Sequence, residues 1–209
     1  MVDEHRPRRR LAREQRREQI LGAATKAFAQ WGFTPTSLDD IAAAAGVTRV
    51  ILYRHFDSKS ELYQSVLDRM CARLEAHVAE PVGGFTDASI DGLLAAAIES
   101  PAGFRLLFVH ALREPEFKDR IEKFRSDIVE AAHLQISAVV PEPGLARWAA
   151  QLAPTVAIEA IIAWLDAGQP DPDQAAARVR RAVIGVLETA AGPEADRHLP
   201  PTAPEGRRS

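Results

Sequence analysis

The chain has 209 residues, with 26 Lys and Arg against 29 Asp and Glu, a formal charge of −3 and a hydrophobic share of 46%, the profile of one large or two small globular domains. Its single cysteine, Cys71, excludes an intrachain disulfide framework and any site built on several thiolates, and points to a reducing cytoplasm. No apolar run reaches the roughly 18 residues of a membrane span, and the basic N-terminus leads into no apolar stretch of the kind a secretory signal needs. Residues 1–12 are charged, contain Pro7 and read as a flexible basic arm. A helix is expected over about 11–30, where Ile20, Ala24 and Phe28 recur every four residues beside Ala27 and Trp31; Gly32 ends it.

Ser37-Leu38-Asp39-Asp40 starts a short helix to Ala45, with Ser37 as cap and Asp40 three residues on. Gly46 follows, where a left-handed turn residue is cheap. Thr48 caps a third helix ending near Phe56. Ser58 and Glu61 stand in capping-box register for a fourth, whose stripe of Leu62, Val66, Met70 and Leu74 runs to about Val78. Pro81-Val82-Gly83-Gly84 breaks the chain. Five more helices are expected over about 87–99, 102–113, 116–139, 144–167 and 173–191. They are separated by Pro101, Pro115, Pro141 with Pro143, and Gly168 with Pro170 and Pro172. Pro154 should kink the fourth of these. From Gly192 the tail holds four prolines and reads as disordered.

Charge is unevenly placed. Residues 1–60 hold 11 Lys/Arg and 7 Asp/Glu, a balance of +4, whereas residues 61–209 hold 15 and 22, a balance of −7. The basic end can meet a polyanion that the acidic remainder would repel. Arg outnumbers Lys 22 to 4, so most cations are planar forks suited to phosphate or guanine.

The spacing within 37–56 is that of a helix-turn-helix. Ala42 is small where two helices cross, Gly46 lies four residues on in the turn, and Leu52 plugs the core six residues later, flanked by Ile41 and Val47. Such a unit projects the start of its second helix outward, where it can enter a DNA major groove.

The longer run Trp31-Gly32-Phe33 … Thr36-Ser37-Leu38-Asp39-Asp40-Ile41-Ala42 … Ala45-Gly46-Val47 … Leu52-Tyr53-Arg54-His55-Phe56-Asp57-Ser58-Lys59-Ser60-Glu61-Leu62 resembles the N-terminal domain of the tetracycline-repressor (TetR) family. The likeness covers about residues 13–65, and its most specific piece is Tyr53-x-His55-Phe56-x-x-Lys59-x-x-Leu62. It implies an all-α fold. A three-helix helix-turn-helix DNA-binding domain over 13–57 precedes a helical effector-binding and dimerisation domain over 58–191, with the arm at 1–12 and the tail at 192–209. It further implies that Tyr53, His55 and Lys59 contact phosphates, that Thr36 and Ser37 anchor the DNA backbone at a second place, and that Thr48, Arg49, Val50 and Arg54 face base edges. The chemistry agrees: phenol, imidazole and helix-start amides donate well to phosphate, and Arg grips guanine with two hydrogen bonds. Val50 and Ile51 stand where the family usually has small or hydroxyl residues. Val50 suits a thymine methyl, or else a recognition helix that seats differently; spacing puts Ile51 on the buried side. Arg6, Arg8, Arg9 and Arg10 of the arm add non-specific attraction or reach a minor groove.

In the second half the apolar stripes are wide. Leu145, Trp148, Leu152, Val156, Ile158, Ile161, Ile162 and Leu165 cover more than one face of their helix, and Val179, Val183, Val186, Leu187 and Ala190 line the last. A helix apolar on two sides needs two partners. One is the domain core; the other is the same pair in a second subunit, giving a four-helix bundle on a two-fold axis, which is also where the resembling family dimerises. That family keeps an effector pocket here, for which Phe104, Leu107, Phe108, Phe124 and Trp148 are candidate walls for a small, largely apolar ligand. His110 and His133 are candidate polar groups.

The resemblance thus implies a cytoplasmic, ligand-responsive repressor that binds a palindromic operator as a homodimer, with no enzymatic activity, no cofactor and no membrane. Two other classes stand beside it. A constitutive or architectural DNA-binding dimer would need no ligand and would have a densely filled C-terminal core. A helical-bundle metal–carboxylate enzyme has one foothold in Glu130-x-x-His133, but such sites need that pair twice and no second copy occurs.

Overall fold

The computed structural model describes residues 5–78 and 87–192. Every regular element among them is helical. The first, α1, spans His5–Trp31. It starts earlier than its apolar stripe predicts, so residues 5–12, expected as part of an arm, continue the helix. Ile20, Leu21, Ala24, Ala27 and Phe28 form the buried stripe. Gly32 ends α1 at φ +82°, its N–H reaching the Phe28 carbonyl at 2.9 Å.

Helix α2 covers Leu38–Ala44 and α3 covers Arg49–Tyr53. Both caps fall where the sequence puts them. Ser37 accepts from the Asp40 N–H, and Thr48 from the Ile51 N–H. Gly46 takes φ +62° between them, a turn that a residue with a Cβ adopts only with strain. Ile41, Ala42 and Leu52 are buried in the core, where α2 packs on α1 and α3 on α2, which fixes the direction in which α3 points. The third helix stops at Tyr53 rather than continuing to Phe56; the Phe56 side chain still turns into the core.

Helix α4, Lys59–Val78, is shared by both halves of the molecule. Its start is capped as expected, the Ser58 hydroxyl accepting from the Glu61 N–H at 3.0 Å. Leu62, Tyr63, Val66, Leu67, Met70, Cys71 and Leu74 are buried along it. Ion pairs tie it sideways, Arg69 to Glu18 of α1 at 2.8 Å and Asp68 to Arg120.

Helix α5, Asp87–Glu99, crosses α4 closely: a Cβ on Gly92 would stand 2.2 Å from the His77 carbonyl oxygen. The following segment was expected as one helix over 102–113. It is instead a short α6, Pro101–Arg105, followed by a π turn at Leu106–His110 and 3-10 turns at Ala111–Arg113 and Pro115–Phe117. A Cβ on Gly103 would lie 2.1 Å from Met70 Sδ, so α6 is pressed onto α4 before the winding changes. Helices α7, Lys118–Ile136, α8, Pro143–Asp166, and α9, Ala175–Ala191, complete the chain. Glu142 caps α8 by accepting from the Gly144 and Leu145 N–H groups. That helix continues through buried Pro154. By length and composition α8 does qualify as a bilayer span, contrary to the sequence expectation, yet 56% of its most apolar window is buried inside this protein. It packs on both α7 and α9, as the central helix of a C-terminal bundle. The break at 81–84 and the tail from 193 lie outside the described residues.

An aromatic joint links the halves. Phe33 and Tyr63 meet Phe117 and Phe28 packs behind them on Tyr63, with ring centroids 5.2 Å apart for Phe33–Phe117, 4.5 Å for Tyr63–Phe117 and 4.8 Å for Phe28–Tyr63. Beside it the Glu114 carboxylate accepts from the Phe33 N–H at 3.3 Å. The Tyr63 hydroxyl is fully buried with no hydrogen-bond partner among the described residues, and burial, with Glu114 nearby, pushes its pKa up.

Candidate nucleic-acid interface

The short α3 presents Thr48, Arg49, Val50, Tyr53 and Arg54 to solvent, with Val50 63% exposed. Ile51, expected on the buried side, is only half-buried and is not among the hydrophobic side chains packed on the core. One face of α3 is therefore held by Leu52 while the other is free. Arg49 donates through Nη1 to Asp39 of α2 at 2.8 Å and through Nη2 to the Tyr53 hydroxyl at 3.3 Å. Its guanidinium lies 5.4 Å from the centre of the Tyr53 ring. Arg54 is exposed. Ser37 is exposed too, its hydroxyl donating to the Asp40 carboxylate at 2.6 Å.

His55 is half-buried and shares an open cleft with Arg13, Glu14 and Arg17 of α1. Burial holds its ring below the usual imidazole range, and Arg13, Arg17 and Arg16 add to that effect. Arg17 is a brace: it donates to the His55 carbonyl at 3.3 Å and to the Ser65 hydroxyl at 3.2 Å, and lies 4.3 Å over the Phe56 ring. Sequence reasoning missed Arg13, Arg17 and Asp39. Only the helix-turn-helix spacing, which sets α2 beside α3, could have suggested the last.

Two expected phosphate anchors are engaged inward. Thr36 is 2% exposed and donates its hydroxyl to the Gly32 carbonyl at 2.6 Å, so that hydroxyl closes the α1–α2 turn instead of facing a ligand. The Lys59 ammonium donates to the carbonyls of Phe33, Thr34 and Thr36 at 3.0, 3.1 and 3.2 Å, and sits 4.5 Å from the Phe33 ring centre. An ammonium has three protons, and three acceptors hold them. Lys59 thus clamps the turn that launches α2.

The expected effector walls come together only in part. A narrow cleft with free space of only about 20 Å³, room for about one water molecule, lies between α4, α5 and α6, with Met70, Leu74, Phe104 and Leu107 inside and Arg73 and Glu99 at its mouth. Phe104 and Leu107 therefore line it as expected. Phe108 is buried next to Phe104, at 4.8 Å between ring centres, and Phe124 packs behind Phe108 at 6.5 Å, outside the cleft. Trp148 is 45% exposed and belongs to an outer face with Leu145, because Ala146, Ala149 and Ala150 occupy the inward positions of α8. His110 and His133 do not line the cleft. Among the described residues no group of three or more His, Cys, Asp or Glu side chains could hold a metal, and burial pushes the Cys71 thiol up to about 12.

Residues 20–66 match the family model described as bacterial regulatory proteins, tetR family. The chain is 30% identical over 178 residues to the HTH-type transcriptional activator FasR of Mycolicibacterium smegmatis, an alignment covering 79% of this chain and 80% of that protein. It is 47% identical over 57 residues to the HTH-type transcriptional regulator TtgR of Pseudomonas putida, 27% of each chain. Among solved structures, a TetR-like transcriptional regulator from Rhodococcus sp. RHA1 superposes with a TM-score of 0.72 at 21% identity, covering 82% of this chain and 95% of that one.

Proposed function

Because this chain belongs to the TetR family of bacterial transcriptional regulators, we propose that it is a ligand-responsive repressor that acts in the cytoplasm as a homodimer on a palindromic operator. The observation that carries this reading is the pairing of two exposed faces. Helix α3 offers Thr48, Arg49, Tyr53 and Arg54 from a firmly buried head, and α8 with α9 offers Leu145, Trp148 and Ile184 from the other body. The first suits base edges and phosphates. The second is an apolar surface for a second copy, which duplicates the head for two half-sites.

In this reading Tyr53, His55, Ser37 and the helix starts contact phosphates, while Arg49, Val50 and Arg54 face bases. A small, mainly apolar effector enters by parting α4, α5 and α6, whose cleft is nearly filled in the arrangement described. It can act only by binding two arrangements of the dimer with different affinity. Helix α4 is the natural link, since Met70 and Leu74 line the cleft and Lys59 holds the α1–α2 turn. A second reading, activation in place of repression, is favoured by the name of the Mycolicibacterium relative. The two are separated by a reporter driven from the bound promoter with and without the protein.

The test is selection of the full-length protein against duplexes with a randomised centre, together with light scattering. The expected outcome is a dimer enriching an inverted repeat, with half-sites about one helical turn apart or a multiple of it. A monomer, or a pool with no enriched sequence, overturns the proposal.

A further inference from the structure

Two consecutive aspartates begin α2, and they do different things. Asp40 takes the Ser37 hydroxyl and completes the cap. Asp39 reaches across to α3 and holds Arg49 at 2.8 Å, with the two side chains 61% and 58% exposed. An ion pair that open to water adds little to stability. Asp39 gains modestly from the positive end of α2. Yet it stands beside the exposed face of α3, where a carboxylate repels phosphates. An anion placed there against the charge of the ligand calls for a reason other than folding, and the geometry of Arg49 supplies one.

We infer that Asp39 is a specificity-determining residue: it holds Arg49 ready for a guanine edge and withholds it from phosphates. The inference rests on the reading of α3 as the DNA-reading helix. A guanidinium has five N–H donors. Asp39 takes one on Nη1 and the Tyr53 hydroxyl takes one on Nη2, so three are left, enough for the paired O6 and N7 acceptors of guanine. The Tyr53 ring centre lies 5.4 Å from the guanidinium carbon, and the two hydrogen bonds restrict the long side chain before DNA arrives. The Tyr53 hydroxyl accepts from Arg49 and keeps its own proton for a phosphate oxygen. Phosphate contact and base readout are thereby joined in one chain running from Asp39 through Arg49 to Tyr53. With Asp39 removed, Arg49 swings to whichever phosphate is nearest, and binding becomes tighter and less selective.

The experiment uses the full-length dimer and the best duplex from a randomised pool, with single-base-pair variants of it and a scrambled duplex, titrated over a series of salt concentrations. Wild type, Asp39→Ala, Asp39→Asn, Arg49→Ala and the Asp39→Ala/Arg49→Ala double variant are compared. Wild type should require a G·C pair in each half-site. Arg49→Ala and Asp39→Ala should each lose discrimination there by roughly 5- to 100-fold, and the double variant should lose no more than Arg49→Ala. Asp39→Ala alone should bind the scrambled duplex more tightly, with a salt dependence steeper by about 0.9 per head. Asp39→Asn, which keeps an acceptor of the same size, should recover part of the discrimination.

If Arg49→Ala loses the guanine preference while both Asp39 variants keep it and shift every duplex in the same ratio, Asp39 is only a surface charge and the inference fails. If wild type selects a sequence with no guanine that depends on Arg49, the inference fails while the DNA-reading assignment stands. If wild type selects nothing, both fall together.

Discussion

Helix α3 and the first half of α8 dispose of their large side chains in opposite ways. In α3 one apolar residue, Leu52, anchors the helix, and Arg49 and Tyr53 face outward beside Val50; in α8 the inward positions of the first half are alanines, Ala146, Ala149, Ala150 and Ala153, while Leu145 and Trp148 face outward, and large side chains such as Ile158, Ile161 and Trp164 turn in only further along. Small residues facing in let α8 sit close to α7 and α9, and large ones facing out leave a surface that wants a partner. The head is organised to expose donors, and the body to expose apolar area. The contrast teaches that an amphipathic stripe locates a face without saying whether that face belongs to the chain's own core or to another copy.

The largest effect is expected at the joint between the two regions. Phe117→Ala should cost about 3–5 kcal/mol and split calorimetric unfolding into two transitions, one for each body. A single transition with a small loss would show that the aromatic cluster does not hold them together. Next in size, Trp148→Glu with Ile184→Glu should remove roughly 2–4 kcal/mol of association and shift the protein to monomer in sedimentation, leaving helix content unchanged. A dimer that survives both charges would place the partner surface elsewhere.

Lys59→Ala should cost about 1–3 kcal/mol by leaving the carbonyls of Phe33, Thr34 and Thr36 without their donor, with the half-exposed site favouring the low end. DNA affinity should fall in proportion for every sequence. An unchanged melting temperature with a salt slope reduced by about one would instead show direct contact with phosphate. The smallest effect concerns His55. Its folded pKa lies below the unfolded value near 6.5, so the neutral ring is favoured by folding. That contribution is complete above the unfolded value and is lost as pH falls from there to the folded one. Phosphate beside the ring acts in the opposite sense, so DNA affinity should rise over the same interval. His55→Asn should flatten both curves, in melting and in binding; an unaltered binding curve would remove His55 from the interface, where Arg13, Arg16, Arg17 and Glu14 are its charged neighbours.

Much of the head was legible in the sequence because its signals are local. Ser37, Thr48 and Ser58 cap helices through bonds spanning three residues, and Gly32 and Gly46 turn the chain at positive φ, where a side chain would strain the backbone. The engagement of Lys59 was not legible, since its acceptors lie 23 to 26 residues away. Thr36 reads as a surface hydroxyl until the turn folds over it. The winding of 101–117 also escaped: proline and glycine mark it, but no local signal announces the shift from α to π and 3-10 turns, and the close approach of Gly103 to Met70 involves another helix. Trp148 shows the same limit, because periodicity placed it on a stripe and only packing showed that the stripe faces out.

Helix α4 has 20 residues, about 30 Å of rigid rod. Its near end grips the turn that launches α2, and its far part lines the cleft with Met70 and Leu74. A tilt of about 5° over that length displaces one end by roughly 2.6 Å relative to the other. Two heads in a dimer would carry that displacement twice, against DNA whose grooves recur on a fixed repeat of about 34 Å. Very little swelling between α4 and α6 is then enough to put a matched pair of heads out of step with the double helix.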